Sequence, residues 1–427
     1  MSDPSLALPS RRALSYASFI YLLVICTLSI PRVMGPSWRA LMAPMAMRNL
    51  EGFPVQWEAF LVLRSLYSMS TNETPDDLIE WYSTDEYRAT LPIYFAAVIA
   101  QLTDNYILGL TLSDVIWWWF GAIGVFILAS SFSTTHISFY AGLLTCFSPL
   151  GVSHIGSATL HTASSLSFST SVATLWILIH SSHLHILSVK FLYGFCVYVS
   201  SITYNYQWVI IPLTLIIAIL PDYSWRRLSI CIYGTVIFFI VRWSSYELLY
   251  LGNLSVHSHQ NDPIRVLLFT LAPIFEENTS ITVILSFVSL FVKQMSVVSY
   301  MYISSFGQPV VFAAVIGAAF TRRSHEFVIH LSLLFLSYIF GTIYGVPWVI
   351  MISYPSMYLL AARGIAHVHR IILTRQTTKR FSFLHRSILV HVIQFSTIAM
   401  IGMGTNLDLF DVPDFAVTWW QGWYVPH

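Results

Sequence analysis

Long and continuous apolar runs fill most of the chain, and short polar segments separate them. A helix needs roughly 20 apolar residues to cross about 30 Å of hydrocarbon, and many of the runs approach that length. Helices and closed barrels are the structures that satisfy every backbone polar group in lipid. Because the runs do not alternate between apolar and polar residues, the pattern predicts an all-α, polytopic transmembrane helix bundle of roughly ten to thirteen spans.

The first predicted helix runs from about Leu14 to Ile30, and Arg11 and Arg12 place its start in the cytoplasm under the positive-inside rule. The segment LPIYFAAVIAQL, from Leu91 to Leu102, is short for a span, and we expect a re-entrant or interfacial helix there. The same pattern predicts further helices over residues 108–130, 136–150, 162–179, 190–201, 207–220, 229–241, 280–302, 309–320, 327–344, 346–362 and 388–403.

The first connection, residues 31–90, mixes aromatic and charged residues over a length that exceeds any ordinary turn. Two stretches within it, WRALMAPMAMRNL and VQWEAFLVLRSLYSM, have amphipathic helical spacing. We expect short helices there that lie along the outer membrane face. Residues 404–427 are predicted to be an outer tail. No repeat or linker marks a second domain, so residues 1–427 are predicted to form a single integral membrane domain.

Composition supports a membrane location and argues against a nucleic-acid partner. The chain is 56% hydrophobic and 10% charged, whereas soluble domains are about 25% charged. A net charge of +1 lacks the basic footprint of a nucleic-acid-binding protein. The four cysteines lie inside apolar runs, which indicates packing rather than a disulfide framework or a metal site. The protein is predicted to be a multi-pass protein of a bacterial inner membrane or, in a eukaryote, of the endoplasmic reticulum.

Four stretches of the sequence share an order with a known class of membrane enzyme. TDEYRATLPIYFAAVIAQL is followed by NYILGLTLSDVIWWWFGAIGVFILASS, then by CFSPLGVSHIGSATLHTASSLSFSTSVATLWIL and, late in the chain, by VPWVIMISYPSMYLLAARGIAHV. This layout resembles the GT-C class of membrane glycosyltransferases, which includes protein O-mannosyltransferases and the aminoarabinose transferases of lipid A. The resemblance covers most of residues 10–370 in outline. It implies transfer of a sugar from a polyprenyl-phosphate carrier to an acceptor at the outer membrane face.

The resemblance also places a demand on the first outer loop. A weakly nucleophilic acceptor needs a carboxylate to take or orient its proton, and the leaving phosphate needs a cation or a bound divalent metal to stabilise its charge. Asp85 or Glu86 would be the base, and Arg88 would hold the phosphate, because Asp85 and Arg88 share one face of a helix. Arg242 is a candidate second phosphate contact, with a simple interfacial ion pair to Glu247 as the alternative.

Three further residues are candidates for the same site. Glu58 lies in the same loop, Asp104 follows the short apolar segment, and His161 follows a turn of small residues. Solvated capping of helix ends explains Asp85 and its neighbours equally well, and a turn role explains Asp104. The histidines show no zinc ligand set with accompanying cysteine or carboxylate, so no metal ligands are assigned.

Two departures from the class keep a second function open. The turn before residue 162 has His161 where many relatives carry an acidic residue, and SSITYNYQW lacks the basic residue that relatives often have. These departures favour a non-catalytic scaffold or accessory subunit of a larger membrane complex. A secondary transporter is a third reading, although such proteins usually show two related halves. The expected partners are a lipid-linked sugar donor, membrane lipids and, for the scaffold, other membrane subunits.

Overall fold

The computed structural model describes residues 9–34, 106–148, 161–180, 185–201, 307–321, 324–344 and 353–376, together with parts of 95–103, 225–240, 285–306 and 390–400 and the single residues 151 and 350. Within these residues the regular structure is helical, as the sequence predicts. We number the helices in chain order: α1 Arg11–Met34, α2 Tyr106–Ser130, α3 Thr135–Cys146, α4 His161–Ile179, α5 Ile186–Ser201, α6 Gln308–Ala319, α7 Ser324–Tyr344 and α8 Tyr354–Gln376.

The predicted helices agree with α1 to α7 to within about four residues at either end. Among the described residues, two helical segments are long and apolar enough to cross a membrane, Arg11–Ile30 and Thr111–Ser130. Shorter apolar stretches lie in α4, α5, α6 and α7. The loop at 31–90, the helix at 207–220 and the tail at 404–427 lie outside the described residues. The predicted short helix at 91–102 is represented by Phe95, Val98, Ile99 and Leu102, all helical.

The last described full helix differs from its prediction. The apolar pattern predicts a helix over 346–362, whereas α8 begins at Tyr354 and continues to Gln376. Pro355 is tolerated at the start because the first helical turn needs no internal amide donor. Arg363 does not end the helix, because its guanidinium lies inside the bundle and is paired there. Charge alone therefore gave the wrong C-terminal boundary.

The bundle has two ends, which the antiparallel pair α2 and α3 defines. We call one end proximal; it contains the start of α1 and the α2–α3 turn at residues 131–134. We call the other end distal; it is the end at which α2 begins. Helix α2 packs against α1, α3 and α4, α3 packs against α8, and α8 packs against α6. The sequence predicts that the proximal end is cytoplasmic.

Trp118 lies at the centre of α2 and is completely buried. Its ring packs on Phe168 of α4 and on Tyr354 of α8, with centroid distances of 5.4 and 6.1 Å. The tryptophan cluster of IWWWF would suit a membrane-interface belt only near a helix end. Trp118 instead joins three helices in the core.

Helix α1 is held to the bundle by a buried tyrosine. Tyr21 is fully buried, and its hydroxyl donates a 2.7 Å hydrogen bond to the carbonyl of Phe139 in α3. Its ring stacks on the ring of Phe139 at 5.5 Å. This contact fixes the position of α1 against α3.

We expect Tyr21→Phe to lower the free energy of unfolding by about 0.5–1.5 kcal/mol, the net value of one hydrogen bond. Thermal unfolding of the purified protein in detergent measures the change. Tyr16→Phe is the matched control, because Tyr16 is 63% exposed on the same helix. Equal effects of the two substitutions would show that the Tyr21 hydrogen bond does not hold α1.

Candidate functional site

The residues that sequence reasoning selected lie almost entirely outside the described residues. Asp85, Glu86, Arg88, Glu58, Asp104 and Arg242 are all in this group. His161 is the first residue of α4, so its backbone position is defined at the start of that helix. Apart from the backbone position of His161, the described residues do not test the members of the predicted site.

The distal half of α2 carries a buried polar group that the apolar pattern hides. Thr111, Ser113 and Asp114 are all buried, and Asp114 is 2% exposed. The carboxyl group is therefore inside the bundle, so the side chain neither extends to the membrane surface nor caps a helix. Ionisable side chains inside a membrane are costly, and they commonly mark functional sites.

The segment that follows TDEYR is attached to the same part of α2. The ring of Phe95 lies 5.0 Å from the ring of Trp117. Trp117 comes three residues after Asp114, so the two residues lie on neighbouring parts of one helix face. Phe95 comes ten residues after Asp85. The Phe95–Trp117 contact places Phe95, from the predicted short helix at 91–102, beside the part of α2 that carries the buried polar group.

An aromatic cluster completes the described part of the distal half. Phe306 lies 4.7 Å from Tyr354 and 5.4 Å from Tyr358, measured between ring centroids. The hydroxyls of the two tyrosines and the indole nitrogen of Trp118 are buried, and none has a hydrogen-bond partner in the described part of the chain. The side chain of Ser148 lies beside both tyrosine hydroxyls. Because buried donors are normally satisfied, Ser148 is the described polar group that stands next to them.

A second polar group, which we call the Arg363 network, occupies the proximal end. The guanidinium of Arg363 pairs with the carboxylate of Glu326 at 2.5 Å. It also donates to the hydroxyl of Ser133 at 2.8 Å and to the carbonyl of Phe132 at 2.7 Å. A longer contact of 3.5 Å reaches the hydroxyl of Thr321. Arg363 thus connects α8 to the α2–α3 turn, to the end of α6 and to the start of α7.

His330 extends the Arg363 network by one helical turn. Its Nε2 lies 3.3 Å from Glu326 Oε1, and its Nδ1 lies 2.9 Å from the hydroxyl of Ser356. The ring contacts Phe132 edge-on at 5.7 Å. Glu326 and His330 are both 4% exposed. Because each charged group in the network has partners, its arrangement suits helix packing better than proton transfer to a substrate.

The sequence indicates Asp114 as a charge inside an apolar segment, but sequence reasoning missed the Arg363 network, although signals were present. Arg363 interrupts the apolar run YPSMYLLAARGIAHV, and Glu326 and His330 stand four residues apart at the start of an apolar helix. The rule that charges inside apolar segments are functional or paired applies to them as it does to Asp114. The partners of Arg363 come from three separate segments, and no spacing in the sequence identifies them.

His180, at the proximal end, is a packing residue. It is buried, stacks on Trp176 at 4.5 Å and lies 3.3 Å from the hydroxyl of Ser131. No three histidine, cysteine, aspartate or glutamate side chains come together as a metal site within the described residues. His180 thus contributes to packing between the end of α4 and the α2–α3 turn.

Solved structures show where this arrangement of helices occurs. The oligosaccharyltransferase AglB of Archaeoglobus fulgidus, in complex with an inhibitory peptide and a dolichol-phosphate, has a TM-score of 0.52 at 11% identity. The match covers 92% of this chain and 56% of AglB, and the apo form of an Archaeoglobus fulgidus oligosaccharyltransferase matches with a TM-score of 0.50. The chain therefore spans little more than half the length of AglB. These neighbours are of the GT-C class. The chain has a GT-C fold.

The other comparisons give a weaker structural match or no match. ArnT of Cupriavidus metallidurans matches in its apo state at 13% identity over 82% of this chain and 70% of ArnT, with a TM-score of 0.47. No protein-family model matches the sequence, and no curated protein does. The composition of the chain, 56% hydrophobic and 10% charged, is typical of a membrane protein and agrees with this fold. The shared fold is thus recognisable in the coordinates at a sequence identity of 11%.

Proposed function

We propose that the protein is a glycosyltransferase that takes a sugar from a polyprenyl-phosphate carrier. The observation that carries this proposal is the GT-C fold, which matches AglB over 92% of this chain. The AglB structure holds a dolichol-phosphate, and a carrier of the same chemical kind is the proposed donor here. The proposal includes a multi-pass topology and a site at the outer or luminal face, next to the distal end of the bundle.

The proposed reaction is a single displacement at the sugar. The acceptor oxygen or nitrogen forms a bond to the anomeric carbon, and the bond from that carbon to the carrier phosphate breaks. Asp85 or Glu86 takes the acceptor proton, and the carrier phosphate leaves with the bonding electron pair. Arg88 and Arg242 bind the phosphate as its charge increases, which is the electrostatic help that such a leaving group requires.

The described residues support this placement in two ways. Phe95 packs on Trp117, which brings the segment after Arg88 to the distal half of α2. Asp114 adds a buried carboxyl group there, one helical turn from Trp117. We assign it the role of positioning the loop or the acceptor.

The test is sugar transfer by membranes that contain the full chain. Polyprenyl-phosphate-linked mannose, glucose and aminoarabinose, each with a labelled sugar, are supplied as donors. We expect Asp85→Asn combined with Glu86→Gln to reduce transfer by about a hundredfold or more, the usual contribution of a general base. Asp76→Asn combined with Asp77→Asn is the matched control in the same loop, because helix capping after Pro75 explains those residues.

The variants also separate the roles of individual residues. Arg88→Gln should weaken donor binding more than Arg88→Lys, because lysine keeps the charge but not the two-pronged geometry. Full transfer by the Asp85 and Glu86 double variant would contradict their assignment. An inactive wild-type chain that co-purifies with other membrane proteins would favour the accessory subunit, which the His161 and SSITYNYQW departures support.

A further inference from the structure

A cavity of about 660 Å³ opens at the proximal end of the bundle. It lies between the first turns of α1, the first turns of α3 and the helical segment at 390–398. Its volume is within the roughly 300–1,000 Å³ of sites that hold small molecules. The cavity belongs to the opposite end from Asp114 and Trp117, so it is separate from the proposed sugar-transfer site.

The walls of the cavity are mainly apolar, and polar groups are concentrated at one side. Tyr16, Phe139 and Phe395 supply aromatic surface. His136 and His391 also line the cavity, with their rings 5.5 Å apart. This division into an apolar wall and a polar side matches a molecule with a hydrocarbon chain and a polar head.

A cationic group stands at the polar side. Arg12 is exposed and precedes Tyr16 by four residues, so it lies on the face of α1 that borders the cavity. The charge of Arg12 therefore favours an anion over a zwitterion or a cation.

The start of α3 adds to the same preference. Thr135 and His136 line the cavity, and Thr134 makes no side-chain cap to α3. The Thr134 hydroxyl lies instead 3.3 Å from His136 Nδ1. The first amide groups of an uncapped helix carry partial positive charge and bind anions. The Tyr140 hydroxyl is already bound to His391, at 3.2 Å from its Nδ1, so it closes the inner edge of the polar side.

We propose that this cavity binds an anionic phospholipid of the cytoplasmic leaflet, with one acyl chain against Tyr16 and Phe395 and the headgroup phosphate next to Arg12 and the start of α3. Basic pockets between membrane helices on the cytoplasmic side bind anionic headgroups by the same chemistry. A bound lipid would join α1 to the segment at 390–398 across the cavity. This proposal does not depend on sugar transfer.

The experiment uses the full chain in nanodiscs of phosphatidylcholine and phosphatidylglycerol. A trace of either lipid carries a photoactivatable group on its acyl chain, and the labelled peptides are identified by mass spectrometry. We expect phosphatidylglycerol to label the peptides that contain Tyr16 and Phe395 about fivefold more than phosphatidylcholine does. That factor corresponds to about 1 kcal/mol for one arginine near an anionic headgroup.

Three variants define the site. Arg12→Gln should make the two lipids label equally, while Arg12→Lys should keep the preference, and Arg11→Gln is the control on the same helix turn. Ser396→Trp fills the cavity from an exposed position and should remove labelling by both lipids. Equal labelling of the wild type by both lipids, absence of label from these peptides, or a co-purified protein cross-linked to them would each overturn the proposal.

Discussion

We expect Arg363→Met to lower the free energy of unfolding by about 3–5 kcal/mol, the usual cost of removing one partner from a buried ion pair. The substitution leaves the carboxylate of Glu326, which is 4% exposed, without its strongest partner. It also removes the donor that binds the carbonyl of Phe132 and the hydroxyl of Ser133. Because these groups belong to different segments, the loss affects the packing of the whole proximal end.

The measurement is thermal unfolding in detergent, and it is monitored by the fraction of protein that remains monodisperse. Arg11→Met is the matched control, because Arg11 is exposed at the start of α1 and should change the free energy by no more than about 0.5 kcal/mol. The double variant Arg363→Met and Glu326→Leu should recover much of the loss, since replacing both members of a buried pair by apolar residues is often neutral.

The double variant decides between two explanations. Recovery shows that the cost comes from an unpaired carboxylate, whereas no recovery shows that the hydrogen bonds to Phe132 and Ser133 dominate. A stable Arg363→Met single variant would contradict the role of the Arg363 network in packing.

The sequence predicts this fold well where apolar runs are long and poorly where charge enters them. Helix α2 was predicted to within two residues at its start, because its pattern over 108–130 contains a single charge, Asp114. Helix α8 was predicted to end at 362, because a charge in an apolar run resembles a membrane boundary. Whether an arginine is solvated or paired depends on residues from distant segments, and their proximity is a property of the folded chain.

The sequence predicts the chemistry of the candidate site but not the contacts around it. A carboxylate and a cation near a membrane surface follow from what sugar transfer requires, and the sequence offers Asp85, Glu86 and Arg88. The contact between Phe95 and Trp117 could not be predicted, because aromatic residues are frequent in every apolar run. That contact connects Phe95, in the predicted short helix at 91–102, to the part of α2 that carries Asp114.

The second large loss of stability is expected from substitutions at the crossing of α6 and α8, where two glycines are in contact. A Cβ atom at Gly364 would lie 3.1 Å from the amide nitrogen of Gly317 and closer still to the carbonyl oxygen of Ala313. A Cβ atom at Gly317 would lie 3.1 Å from the amide nitrogen of Gly364 and closer still to the carbonyl oxygen of Leu360. Small residues allow backbones to approach this closely in membrane helices. Backbone atoms cannot rotate away as a side chain can, so the helices must separate.

We expect Gly364→Ala to lower the free energy of unfolding by about 3 kcal/mol, the upper part of the usual range for overpacking. Gly341→Ala in α7 is the matched control, because its Cβ would meet a methyl group of Val298 at 3.2 Å, and a side chain can move. Thermal unfolding in the same detergent compares the two. A smaller effect of Gly364→Ala than of Gly341→Ala would contradict the backbone contact.

The double variant Gly317→Ala and Gly364→Ala should cost less than the sum of the two single variants, because one separation of the helices makes room for both methyl groups. That separation also moves Arg363, the residue next to Gly364, away from Thr321 at the end of α6. Gly364→Ala in the Arg363→Met background should therefore cost less than Gly364→Ala alone. Additive effects in both combinations would mean that the crossing and the Arg363 network are independent, whereas the contacts of α8 with α6, α7 and the α2–α3 turn predict that they are coupled.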